Sequence, residues 1–165
     1  MTTRRNADRR GARAEPSPVE MIEITDARGT IVRAPWLERA EAVHRALRPA
    51  LPADYRTKMQ RVFAGGGRMV LATEADVVAG LAVWRVLENT AIGVHLYVDD
   101  LITDEARRSL GVGHALMQWL EQRARELSCV ALVLDSGTQR TRAHRFYFRE
   151  GMAVVCFNFS KDLSP

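Results

Sequence analysis

Apolar and polar positions change their period several times along the chain, and each change marks a different element. Residues 1–18 show no apolar period; arginines dominate and Pro16-Ser17-Pro18 closes the stretch, the pattern of a disordered leader. Residues 19–165 read as one domain. Met21 to Thr25 alternates weakly, and Thr30 to Arg33 follows an Asp26-Ala27-Arg28-Gly29 turn; one of the two supplies the first strand, and the pattern does not choose between them. From Pro35 the period becomes helical, with Leu37, Ala40, Val43, His44 and Leu47 recurring on one face. Pro49 and Pro52 end that helix, and Leu51 to Ala64 gives a second helical stretch stopped by Gly65-Gly66-Gly67.

Strands follow. Arg68 to Glu74 and Val77 to Leu87 flank a short Ala75-Asp76 connection, which predicts a hairpin, and Ala91 to Thr103 adds a third antiparallel partner. A helix over His114 to Leu127 places Leu116, Trp119, Leu120, Ala124 and Leu127 on one face. Val130 to Leu134 is almost continuously apolar, as in a strand covered on both faces. A last helix over Thr141 to Glu150 and a final strand over Met152 to Ser160 complete the order. The prediction is a mixed α+β domain.

Composition narrows this picture little, but charge does. With 165 residues, 47% hydrophobic and 27% charged, the chain fits a single globular domain. No apolar run approaches the ~20 residues of a membrane span, and no secretory signal follows the basic start. Residues 1–14 carry five arginines and one aspartate, the whole net charge of +4; the remaining residues balance. A phosphate-binding role for the leader is the alternative to a solvated one. Cys129 and Cys156 sit in apolar runs and read as buried free thiols in a cytoplasmic protein. No Cys/His spacing suits a metal.

Two short signals carry chemistry. Arg108-Ser109-Leu110-Gly111-Val112-Gly113 lies between a strand and a helix, and a glycine-bearing turn that opens a helix presents unpaired amides and the positive end of a dipole to an anion. A Rossmann loop would need a third glycine where Leu116 stands. The second signal is Ala143-x-x-x-Tyr147-x-x-x-Gly151. In this order and spacing, the pair resembles the acyl-CoA motifs of the GNAT superfamily of N-acyltransferases. The superfamily's commonest loop has glycine where this chain has Ser109, and often has Asn where it has Arg140.

The resemblance implies a central, mostly antiparallel twisted sheet of six to seven strands with about four helices. Its fourth and fifth strands would splay into a V for the pantetheine arm. It implies that the amides of Gly111, Val112, Gly113 and His114, with Arg108 and Ser109 beside them, hold the pyrophosphate of acetyl-CoA. Backbone groups of Leu101, Ile102 and Thr103 would pair with pantetheine, and a freed N–H near Ile102 would polarise the thioester carbonyl. Arg140 would contact the cosubstrate, and Tyr147 would protonate the departing thiolate; its alternative is aromatic packing beside Phe146 and Phe148. Asp99 and Asp100 end an apolar strand, and as strand neighbours they point to opposite faces unless a bulge intervenes. In the family this strand usually carries a bulge, and the position of the acids relative to Gly111 resembles polyamine-type members, which implies Asp99 as base and Asp100 as amine anchor; solvated acids, or acids bridging Arg107 and Arg108, are the other reading. Weaker candidates are His95 and His144, for which a satisfied strand histidine and a surface or helix-packing role are the better readings, and Tyr55, Trp84 and Tyr97, each equally explained by core packing; Glu74 reads as solvated. The expected activity is acetyl transfer from acetyl-CoA to a primary amine. A small amine, cationic in view of the acidic strand end, is the expected acceptor; a protein amine and a homodimer are further options. A non-catalytic acyl-CoA sensor of the same fold is the alternative.

Overall fold

The computed structural model describes residues 18–163; the expected leader, apart from Pro18, lies outside the described residues. A five-stranded sheet runs in chain order, β1-β2-β3-β4-β5. β1 is Glu20–Glu23, β2 Arg68–Glu74, β3 Val77–Asn89, β4 Gly93–Thr103 and β5 Ala131–Leu134. The first four pair antiparallel and β5 joins β4 in parallel. Both candidates for the first strand are used: β1 pairs with β2, while Thr25 and Ile31 bridge across the Asp26–Gly29 turn.

Helices cover both faces of the sheet. α1 (Ala34–Leu47) and α2 (Tyr55–Ala64) pack on one face; α3 (Val112–Glu126) packs on the other, and α4 (Thr141–Arg149) borders it. Strand alternation divides the core accordingly. Met69 and Leu71 of β2, with Leu81 and Val83 of β3, meet Leu37, Ala40, Met59 and Phe63 of the helical layer. Val70, Ala72, Ala82 and Trp84 point the other way, against Leu116, Met117 and Leu120 of α3. Continuous apolar runs are what a sheet covered on both faces needs. α2 starts at Tyr55 rather than Leu51 because the Asp54 carboxylate caps it, accepting from the Thr57 amide at 3.0 Å.

Two features of β4 position the site. Its ladder with β5 stops at Val98↔Leu134, so Asp99–Thr103 has no strand neighbour on that side and the sheet splays open there. Its ladder with β3 slips between Val83↔Asp100 and Trp84↔Val98, leaving Asp99 as the extra residue of a bulge.

Three expectations need correction. Among the described residues the sheet has five strands, not six or seven: Met152–Ser160 makes no strand pairing, and Val154, Val155, Phe157 and Phe159 are exposed. A strand needs a partner for its backbone groups, and the hydrogen bonds of this segment instead include the Met152 amide to the Tyr147 carbonyl and the Asn158 side chain to Asp135. β5 is half-buried along its length instead of fully covered, and Leu127 at the end of α3 is exposed. Cys156 shares the exposure of its segment, while Cys129 is half-buried.

Candidate active site

A groove of about 720 Å³ opens at the splay. Leu101, Ile102 and Thr103 form its floor, the Arg108–Gly113 loop one end, and Arg140 and Tyr147 of the α4 region its far wall. The Asp104 amide donates to the Ala79 carbonyl at 2.8 Å. Antiparallel alternation then turns the Ile102 amide toward β3 as well and leaves the amides of Leu101 and Thr103 facing the groove.

At the groove's end the chain turns sharply into α3. Gly111 caps the helix at φ 89° and has open space where a Cβ would stand. The first intrahelical bond runs from the Ala115 amide to the Gly111 carbonyl, 2.9 Å. The amides of Val112, Gly113 and His114 therefore precede the ladder and are available to an anion. Gly113 is favoured by contact rather than by dihedral: a Cβ there would lie 3.2 Å from the Phe146 ring and 3.4 Å from Thr103 Oγ1, a tight fit that those side chains must yield to. Ser109 adopts φ 64°, a left-handed conformation costing a non-glycine residue about 1–3 kcal/mol. That is the physical reason glycine is common at this position. Four arginines (108, 140, 142 and 149) line the groove, and only Arg108 has an ion-pair partner among the described residues, Glu105 at 2.8 Å. Donor amides, open space and unpaired cations together fit a pyrophosphate.

Of the expected groove residues, Leu101, Ile102, Thr103, Arg108, Ser109, Gly111, Gly113, His114, Arg140 and Tyr147 all line it. Val112 does not; its side chain is buried beneath α3, and only its backbone belongs to the loop. His114 bonds Glu150 at 2.7 Å. Tyr147 is half-buried, and desolvation pushes its phenol pKa up against the opposing charge of Arg140. The hydroxyl thus stays protonated throughout the neutral range.

Asp99 and Asp100 lie in a neighbouring cleft of about 620 Å³, between β4 and the α1–α2 layer. The bulge brings them to one face: Val98 and Leu101 pack on the α3 side, Ile102 on the other, and both acids line this cleft. Neither bridges Arg107 or Arg108. Arg85 grips Asp99 with two nitrogens, at 2.8 and 2.7 Å to Oδ2. Asp100 receives Arg48 Nε on Oδ1 at 2.5 Å and meets His44 Nε2 through Oδ2 at 2.9 Å. His44 is buried, and its Nδ1 lies 3.0 Å from the Tyr55 hydroxyl. Burial pushes the Asp100 carboxyl up, but the hydrogen bonds from His44 and Arg48 outweigh it and hold the group below its usual 3.8. Leu47, at the end of α1, lines both cavities.

The weaker candidates resolve as packing or local bonding. His95 is buried with Nδ1 on the Gly93 carbonyl, His144 bonds the Gly137 carbonyl, and Trp84 stacks edge-on with Trp119 at 6.0 Å. Tyr97 donates to Asp135 at 2.7 Å, and burial with that bond pushes its pKa up to about 12. Glu74 is buried and ion-paired to Arg107, not solvated. Sequence reading missed His44, Arg48 and Arg85 as site residues. His44 gave a signal, a lone histidine on the apolar face of α1; the arginines gave none in so arginine-rich a chain.

Comparison with known proteins agrees with this geometry. The chain superposes on a CoA complex of the aminoglycoside N-acetyltransferase AAC(6')-Iy with a TM-score of 0.75 at 14% identity, over 92% of this chain and 99% of that one. A ribosomal-protein-alanine N-acetyltransferase from Brucella melitensis biovar Abortus 2308 gives 0.73 at 15% identity, over 89% and 100%. These likenesses define the fold, the mixed α+β architecture that both proteins share. The model of the acetyltransferase (GNAT) family matches residues 36–152, and the chain belongs to that family. Curated relatives include an uncharacterized N-acetyltransferase YhdJ of Bacillus subtilis, 37% identical over 72 residues, 43% of this chain and 51% of that protein. An aminoalkylphosphonate N-acetyltransferase of Salmonella typhimurium is 33% identical over 66 residues, 40% of this chain and 43% of that protein. The chain thus spans about half the length of the curated relatives it matches. No helix among the described residues is long and apolar enough to cross a membrane.

Proposed function

We propose that the chain transfers an acetyl group from acetyl-CoA to the primary amine of a small molecule, by direct attack within a ternary complex. The observation that carries this reading is the continuity of β4: Asp99 and Asp100 border one cavity, the next three residues floor the other, and Leu47 belongs to both. An amine and a thioester would meet where the two join. Acetyl-CoA supplies the activated acyl group. The α3 amides and unpaired arginines hold its pyrophosphate, and the Leu101 and Thr103 backbone aligns its arm.

The side chains then divide the proton work. Asp100 has one oxygen taken by His44 and the other by Arg48, which suits it to anchor rather than to accept a proton. Asp99 is held mainly through Oδ2, with Oδ1 only 3.2 Å from Arg85 Nε. It therefore keeps lone pairs for the ammonium proton, directly or through water. Tyr147 gives its proton to the departing sulfur, a role its raised pKa permits.

The test is thiol release from acetyl-CoA over a panel of primary amines. Tyr147→Phe is expected to lower kcat roughly 10- to 1,000-fold while leaving the acetyl-CoA dissociation constant unchanged. Full activity in that variant returns Tyr147 to a packing role. Tight binding with no release on any amine makes the domain a sensor.

A further inference from the structure

The acceptor cleft carries more positive charge than its own acids neutralise. Arg48, Lys58, Arg61 and Arg85 line it, against Asp99 and Asp100. Arg48 and Arg85 are engaged by the two acids. The side chains of Lys58 and Arg61, three residues apart on one side of α2, form no hydrogen bond or ion pair with any described residue. Asp54 feels the Arg61 charge, but its carboxylate is occupied in capping α2. Lys58 is half-buried and Arg61 exposed, and both line the cleft. The chain has only one other lysine, Lys161.

Building on the acetyl-transfer reading, we infer that the acceptor is an amine that also bears an oxyanion, a carboxylate or phosphonate, with Lys58 and Arg61 as its specificity-determining pair. The two ends of such a molecule match the two ends of the cleft. Its ammonium faces Asp99 and Asp100 beside the groove, and its anion faces the cations on α2. This narrows the expectation from sequence of a small cationic amine: each acid already has an arginine partner, and what remains unpaired is positive. A cavity of about 620 Å³ suits a small molecule.

The experiment has two arms. In the first, thiol release is measured with β-alanine, 2-aminoethylphosphonate, propylamine and spermidine. The two anionic amines are expected to exceed propylamine at least tenfold in kcat/KM, and the better of them tells carboxylate from phosphonate. Lys58→Gln and Arg61→Gln should each raise KM for the anionic amines roughly 10- to 100-fold, the worth of one charge-assisted hydrogen bond, with a far smaller change for propylamine. The second arm needs no turnover. Modification of Lys58 by an amine-reactive ester is followed by mass spectrometry, with the exposed Lys161 as internal reference. Ethylphosphonate or propionate should slow Lys58 at least threefold relative to sodium chloride of equal ionic strength and leave Lys161 unaffected. Preference for propylamine or spermidine overturns the inference, and so does unprotected Lys58. If no amine releases thiol, acetyl transfer itself fails, and protection of Lys58 still decides the charge of the ligand.

Discussion

The Asp100 carboxylate shows how much a single side chain here depends on partners remote in sequence. His44 and Arg48 reach it from the end of α1, and Tyr55 backs His44 from the start of α2. Its folded pKa lies below the unfolded value, so the stability it contributes is present above the usual 3.8 and is lost as pH falls through the folded pKa. Asp100→Asn should cost roughly 1–3 kcal/mol at pH 7. In urea unfolding, the gap from the parent protein should narrow below about pH 4, where the unfolded chain takes up a proton that the folded carboxylate still resists, and should close as pH falls through the folded pKa. A gap that stays constant to pH 2.5 would show that the ion pair contributes nothing. None of this was legible in the sequence. Asp99-Asp100 stood out as acids in an apolar run, but their partners lie about fifty residues earlier or on β3, and no local pattern joins them. The glycines of the α3 turn were legible because dihedral and contact constraints act within a few residues.

At the scale of elements, the β3–α3 contact determines how firmly the groove is built. A Cβ on Gly80 would stand 2.8 Å from the Ile102 carbonyl oxygen, 3.0 Å from Val112 Cγ1 and 3.1 Å from Leu116 Cδ1. The first of these is backbone and cannot swing away. Gly80→Ala should therefore push β4 and the start of α3 apart, destabilising by roughly 1–3 kcal/mol and weakening CoA binding severalfold in a titration. Gly66→Ala is the comparison: it has open space but φ 94°, so it should lower the melting temperature without altering CoA affinity. Equal CoA affinity in the two variants would refute the packing argument. Element type was largely readable from periodicity, because each helix buries one stripe and each inner strand is apolar on both sides. Ends were less so. The Asp54 cap moved the start of α2, and the bulge that sets both acids on one face was implied only by family likeness.

For the molecule as a whole, the sheet was expected to close with Met152–Ser160 and does not. Apolar alternation identifies a segment able to form a strand; it does not guarantee an edge to receive it. Val154, Val155, Phe157 and Phe159 remain exposed beyond α4, a concentration of apolar surface of the kind that promotes association. Because Met152 packs into the core while the residues after it do not, a chain ending at Met152 should keep its urea midpoint nearly unchanged. It should also sediment as a smaller species, or stay soluble at higher concentration, than the full chain. A large loss of stability on truncation would mean that these residues are structural after all.

The extra residue at Asp99 makes β4 two levers joined at a pivot instead of one straight bar. In the proposed reaction one lever, Leu101–Thr103, would carry the thioester, and the acids at the pivot would seat the amine. A substitution that straightened the pivot would leave each seat intact and alter only the angle between them. Such a protein would bind both reactants with undiminished affinity and yet align them poorly, a defect invisible to equilibrium titration and plain in a single-turnover rate.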